Sequence, residues 1–339
     1  MCSESATGTA LRQSKKHAAL APALLATSGC GGEQSALDPG GPAAQELAQL
    51  TWLMVAGGSA ILALVMVLAW YAIYRDPDKR RRISSNALIV AGGVAFPVIV
   101  LTALLVYGVN LTGALRAQAE DALHVRVTSH MWWWEVRYPD GGGGEGVTTA
   151  NEIRIPVDRP VTFSLSSPDV IHSFWVPSLA CKIDVIPGRV TRLTLRADRP
   201  GRYRGQCAEF CGAQHALMAF HIVALEPDEF ERWLAQLRQP ARTPEGASAA
   251  KGREAFLAQS CGHCHTVRGV VESILPGPDL THVAGRAWIG AGTLPNTRES
   301  LVRWLAGGEQ VKPGRAMPSY DHLDAATLAA LADYLAGLE

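Results

Sequence analysis

Two long runs without a charge constrain this chain more than anything else in it. Residues 50–74 and 87–111 contain no Asp, Glu, Lys or Arg. Each run is about 25 residues, roughly 37 Å as a helix, enough to cross a bilayer with some tilt. A helix inside a soluble core is rarely apolar on every face over that length. Between the runs stands Arg75-Asp76-Pro77-Asp78-Lys79-Arg80-Arg81-Arg82. A short basic loop stays on the cytoplasmic side, so both outer ends of the hairpin face out. Pro97 inside the second run predicts a kink.

The amino terminus agrees with that orientation. Arg12, Lys15, Lys16 and His17 precede an apolar stretch over residues 18–26, followed by Thr27-Ser28-Gly29-Cys30. This is the build of a secretory signal. Its ending resembles a bacterial lipobox, which makes Cys30 a lipidation site; Thr27 departs from the aliphatic residue usual there, and plain cleavage or a retained tail is the alternative. Residues 31–49 read as a flexible tether rich in Gly, Pro and Ala.

After residue 116 the chain changes character. Residues 123–129, 152–157, 161–165, 190–195 and 220–225 alternate as strands do, between Pro, Gly and Asp punctuation. That pattern indicates an antiparallel sandwich or barrel over residues 117–240. Formal net charge is zero, so no global field points to nucleic acid. Seven cysteines are too few for a disulfide scaffold in 339 residues. Two of them fall in Gln206-Cys207-Ala208-Glu209-Phe210-Cys211-Gly212-Ala213-Gln214-His215-Ala216-Leu217-Met218. Thiols, an imidazole and a thioether are soft or borderline ligands, suited to copper, zinc or iron–sulfur rather than magnesium or calcium. A thioether is a poor zinc ligand and a usual weak ligand of electron-transfer copper. A disulfide between Cys207 and Cys211 is the bland alternative.

Taken with D-V-I-H-S-F-W-V-P-S-L over residues 169–179 and K-I-D-V-I-P-G-R over 182–189, this segment resembles the copper-binding half of cytochrome c oxidase subunit II. The resemblance implies a cupredoxin-like barrel holding a dinuclear CuA centre. It makes Cys207 and Cys211 bridging thiolates, with His172 and His215 each capping one copper. Met218 becomes a weak ligand, and Glu209 a ligand through its backbone carbonyl. The family also implies an Mg ion, reached by the Glu209 side chain, at the border with the catalytic subunit. Many members carry a Glu in the second span that feeds a proton path. This chain has no Asp or Glu between Ile83 and Arg116, so that role does not transfer.

Met131-Trp132-Trp133-Trp134 follows the second span by about twenty residues. Trp is enriched at membrane interfaces, which is the plain reading. The run also resembles the aromatic patch on which subunit II receives electrons, making Trp132 the receiving residue and Trp133 its neighbour. Cys181 has no role in that pattern and reads as a buried free thiol. His124 and His221 read as ordinary sheet residues.

Residues 240–246 read as a linker, and a helix is expected from about residue 248. Cys261-Gly262-His263-Cys264-His265 is a C-x-x-C-H motif, the attachment site of haem c. Cys261 and Cys264 supply two thioethers, and His265 binds the iron. Gly314-Arg315-Ala316-Met317-Pro318 resembles the distal loop of class I cytochromes c and offers Met317 as sixth ligand. His282 is its competitor. Met/His ligation raises the potential relative to two His, which suits a donor to copper. Residues 297–305 and 325–338 read as closing helices, with Gly307-Gly308 ending the first.

The whole is thus a multi-domain chain: a two-helix transmembrane hairpin over residues 50–116, an all-β cupredoxin-like barrel, and an all-α cytochrome c domain over 241–339. The resemblance implies subunit II of a haem–copper cytochrome c oxidase in a bacterial inner membrane, with its copper and haem domains on the periplasmic face. Its partners would be the catalytic subunit, further oxidase subunits and an external cytochrome or other donor. A CuA-bearing subunit of a nitric oxide reductase and a membrane-tethered electron relay are the alternatives. A quinol oxidase subunit shares the fold without the copper ligands.

Overall fold

The computed structural model describes residues 31–76, 78, 85–115, 121–140, 146–242 and 244–339. The signal segment and Cys30 lie outside the described residues, as do Pro77, residues 79–84 of the basic loop, and Thr243.

Two helices, Pro42–Tyr74 and Asn86–Gly113, are long and apolar enough to cross a membrane. The first starts earlier than the sequence reading places it. Residues 31–49 are therefore not a flexible tether: Pro42 at the first helical turn, with its φ already set, begins the helix there. The residues before it are strapped to the barrel. The Gly40 N–H donates to the Ser178 carbonyl at 2.7 Å, and the Asp198 N–H to the Gly40 carbonyl at 2.8 Å. The Arg204 N–H donates to the Glu33 carbonyl at 2.8 Å, and Arg199 pairs with Asp38. Gly41 lies so close to the Arg196 carbonyl that any side chain there would collide with it. Ala44 and Ala48 are buried in turn. In the second span a π-helical segment, Ile89–Ala95, ends just before Phe96-Pro97. Such segments re-aim a helix by shifting its hydrogen-bond partners by one residue.

The barrel is built from two five-stranded sheets. One runs β3 (Val147–Ala150), β2 (Trp133–Tyr138), β1 (Leu123–His130), β5 (Val161–Ser166), β8 (Thr191–Leu195). The other runs β4 (Glu152–Pro156), β10 (Ala219–Leu225), β9 (Gly201–Cys207), β6 (His172–Trp175), β7 (Ile183–Val185). The sandwich is not purely antiparallel, since β1 pairs with β5, and β10 with β4, in parallel. Alternation explains the core. Val125 and Val127 on β1, then Trp134, Val136 and Tyr138 on β2, all point inward and are buried. Trp134 packs edge-on against Phe174 and Phe220, whose rings stack at 4.4 Å. Each buried Phe contributes about 1.5–3 kcal/mol. Two strands that the sequence reading did not mark carry metal-type residues: β6, four residues long and buried at its first three, opens at His172, and β9, which alternates over its last five residues, ends at Cys207.

Helix Pro227–Leu237 leaves the barrel, and the haem-type domain follows with helices Ala247–Ala258, Arg298–Val311 and Ala325–Ala336. Thr297 and Asp324 cap the last two by accepting backbone N–H groups of Ser300 and Thr327. Gly307 ends the first helical stretch as expected: its backbone is non-helical, and a separate helical turn follows to Val311. Gly308 serves close approach instead: a Cβ there would run into the Arg315 guanidinium.

The two folded domains face each other across a continuous interface. The Ala219 N–H donates to the Ala291 carbonyl at 3.0 Å, and the Ala287 N–H to Glu152 Oε2 at 2.9 Å. Arg154 Nη2 donates to the Gly285 carbonyl at 2.7 Å. The His221 ring stacks on Trp288 at 5.6 Å.

Candidate functional site

Six residues expected to hold metal come together at the end of the barrel. β9 delivers Cys207, the loop after it carries Glu209, Cys211 and His215, and the start of β10 is preceded by Met218. His172 opens β6, next to β9 in the same sheet. Cys207 Sγ and Cys211 Sγ are 3.7 Å apart. A disulfide would hold them at about 2.05 Å, so the two are free thiols. His172 Nδ1 lies 3.8 Å from Cys207 Sγ, and His215 Nδ1 lies 3.7 Å from Cys211 Sγ. Met218 Sδ is 3.8 Å from Cys211 Sγ, and the Glu209 carbonyl oxygen 3.2 Å from Cys207 Sγ. Cys207, Cys211, His172 and Met218 are buried.

The electrostatics suit a cation held by sulfur. The Cys211 thiol donates to Cys207 and holds its sulfur down to about 3, helped by His172 and opposed by burial. The Cys211 thiol is pushed up for the same reason, as the partner that keeps the proton. Burial works against protonating His172, but Cys207 and Asp169 outweigh it and raise the imidazole. Two sulfurs, two ring nitrogens, one thioether and one carbonyl oxygen fit copper and do not fit magnesium or calcium.

Sequence reading missed Asp169. Its Oδ1 accepts from His172 Nε2 at 2.8 Å, which leaves the Nδ1 lone pair facing the sulfurs. Its Oδ2 accepts the Met131 N–H at 2.7 Å. The clue was the i,i+3 spacing of Asp169 and His172. The Glu209 carboxylate sits 3.6 Å from Lys182 Nζ, beside exposed Phe210. One carboxylate facing a lysine is a poor magnesium site without oxygens from elsewhere. Cys181 is exposed, not buried: Cys181 falls just after the buried Leu179-Ala180 pair, where the chain returns to the surface.

The second site is a cavity of about 170 Å³, lined by Cys261, His265 and Met317. Burial pushes the His265 imidazole down and so keeps it neutral. Its Nδ1–H donates to the Pro278 carbonyl at 2.8 Å, which leaves Nε2 as the free ligand atom. Cys264 is a half-buried free thiol one residue before it. His282 donates to the Gln239 carbonyl and lines a different cavity. The wall also carries Arg286 Nε, Trp288 Nε1 and Arg315 Nε, buried donors with no partner among the described residues. Unpaired buried donors are costly, and two Arg with a Trp are what the carboxylates of a haem would satisfy. The residues present therefore fit a haem.

Trp132 belongs to both sites. Its ring lines the haem-type cavity with Trp133. Its indole Nε1 donates to the Cys211 carbonyl at 2.8 Å. Trp133 stacks on His130 at 4.5 Å. The tryptophans thus lie between the two domains.

A family model described as cytochrome c oxidase subunit II, periplasmic domain, matches residues 142–225, and one described as cytochrome c matches residues 249–339. Cytochrome c oxidase subunit 2 of Alkalihalophilus pseudofirmus is 34% identical over 93% of this chain and 94% of that protein. Its counterpart in Bacillus subtilis is 31% identical over 95% and 96%. Among solved structures, the periplasmic domain of subunit II of cytochrome oxidase of Bradyrhizobium japonicum is 31% identical, covering 36% of this chain and 96% of that one, with a TM-score of 0.33.

Proposed function

Because the chain belongs to the cytochrome c oxidase subunit 2 family, we propose that it accepts electrons from an external donor at its own haem and hands them through its copper site to the catalytic subunit, where oxygen is reduced to water. The coarser statement stands without proposal: this is subunit II of a haem–copper oxidase, an oxidoreductase complex, with a cytochrome c domain joined to it. It is membrane-anchored by apolar helices and carries a periplasmic domain. In the proposed reading both helices cross the membrane.

The observation that carries the electron path is the double position of Trp132, against the haem-type cavity and hydrogen-bonded to the Cys211 carbonyl. Haem iron and copper, when bound, would supply one-electron carriers. The chain's own residues do the rest. Cys261 and Cys264 would tether the haem covalently, and His265 and Met317 would ligate its iron. Cys207, Cys211, His172, His215, Met218 and the Glu209 carbonyl would hold the coppers. Asp169 fixes the His172 ring, and packing around the buried sulfurs excludes water and keeps the ligands rigid. The Glu209 carboxylate would reach Mg only with oxygens contributed by a partner subunit.

Replacing Trp132 with Phe should slow transfer from haem to copper and leave both copper ions bound, because the ligands stay and only the indole bridge goes. Flash reduction with the haem and copper bands followed separately checks this; an unchanged rate refutes the role of Trp132.

The reading as a whole is tested by turnover of the detergent-purified complex, with a reductant supplied through a soluble mediator and oxygen and nitric oxide offered separately. Rapid oxygen uptake is the expected result. Nitric oxide consumption without oxygen uptake would move the same sites into a nitric oxide reductase. Neither activity, with both centres reducible, would mark an electron relay.

A further inference from the structure

Lys312 is only 3% exposed, although it bears a side chain that is charged in water, and it directly follows helix Arg298–Val311. Lysines are rarely buried to this degree without a partner. The partner here is the other domain: Lys312 Nζ donates to the Trp132 carbonyl at 2.9 Å. On the copper side Gln214 is 2% exposed and lies between the expected ligands Cys211 and His215. Its Nε2 donates to the Pro313 carbonyl at 2.9 Å. Two consecutive residues of the haem-type domain thus meet both the tryptophan surface and the sulfur loop. The same segment then turns at Gly314, whose N–H donates to Glu309 Oε1, and leads directly to Met317 in the cavity.

We propose that Lys312 and Gln214 are a positioning pair that clamps the haem domain over Trp132 and Trp133, so that a soluble donor reaches the haem but is kept off the tryptophan surface. The inference rests on the electron path proposed above and goes beyond it: the surface that would receive an external cytochrome in a subunit without a fused haem is here closed by the chain itself. Two further observations support closure. Trp132, Trp133 and Lys312 line the same cavity as Cys261 and His265. Other interdomain contacts, such as Glu152 with Ala287 and His221 with Trp288, fit the same docked pose.

Lys312 and Gln214 touch neither cofactor site as ligands, so their loss should alter docking and leave the centres intact. The probe is reduced soluble cytochrome c mixed rapidly with the oxidised complex, with haem and copper absorbance followed separately. In the wild-type protein the haem should be reduced first and copper after it. Lys312→Met leaves the Trp132 carbonyl without its donor. It should slow the haem-to-copper step by roughly tenfold or more, as part of the advantage of a held neighbour is lost. It should also let copper be reduced directly by the added cytochrome, without a lag. Lys312→Arg should restore the wild-type order, which a merely structural role would not require. Gln214→Leu removes the clamp from the copper side and should change the order in the same way, so that a folding failure of one variant leaves the other to decide. Wild-type rate and order in variants with intact haem and copper spectra would overturn the clamp. Absence of a copper band from the wild-type protein would instead overturn the electron path on which the clamp rests.

Discussion

Cys207→Ser is expected to abolish the copper pair and leave the haem in place. Cys211 and His172 beside it hold the Cys207 thiol well below its usual range, which favours the thiolate form that binds metal. A serine hydroxyl does not ionise in that range and is a hard oxygen donor, badly matched to copper. Cys207 also touches three other members of the site: His172, Glu209 and Cys211 all lie against its sulfur. Copper should fall from two ions per chain to one or none, and mediated oxygen uptake should drop by orders of magnitude. The haem-type cavity is lined by none of the six expected copper ligands, so covalent haem and its absorbance should survive. Metal analysis beside the haem spectrum checks this. A variant that keeps two coppers would remove Cys207 from the ligand set.

The second large effect concerns the haem potential. Met317→Leu should keep the fold, since the two side chains are close in volume and such swaps usually cost less than about 1.5 kcal/mol. It should nevertheless lower the potential by on the order of 0.1 V, a fraction of the roughly 0.8 V that axial ligands command. A thioether favours the reduced iron, and its loss leaves a site open to water or another base. A haem so lowered would be oxidised more readily by copper but reduced less readily by an external donor, so turnover should become limited by the donor step. Redox titration reads the shift directly. An unchanged potential would point to another sixth ligand. His282 is badly placed for that part, because it faces a different cavity and donates to the Gln239 carbonyl.

The fold and most of the candidate site could be read from the chain because their signals are local. A span announces itself by an unbroken apolar run, and C-x-x-C-H or C-x3-C-x3-H-x2-M by fixed spacing. What escaped is relational. Lys312 looks like any exposed lysine until the Trp132 carbonyl is opposite it. Asp169 looks like turn punctuation until His172 folds back on it. Gly307-Gly308 reads correctly as a helix break, but nothing in the sequence says that the Arg315 guanidinium also needs the room beside Gly308. Residues 31–41 read as loose because Gly-rich, strand- and helix-poor sequence shows no local preference, and their backbone partners, such as Ser178 and Arg204, lie more than a hundred residues away.

That strap also sets an angle. With Gly40 tied to Ser178 and Asp198, and Pro42 starting the helix two residues later, no slack separates the barrel from the first span. The rotational phase of that span about its own axis is then geared to the barrel. Inserting one residue between Gly41 and the apolar run would swing every later side chain of the helix by roughly 100°. The face turned toward neighbouring helices would become the face turned toward lipid, while the composition of the span stayed the same. Insertions that a loose tether would absorb are thus transmitted into the membrane as a change of azimuth.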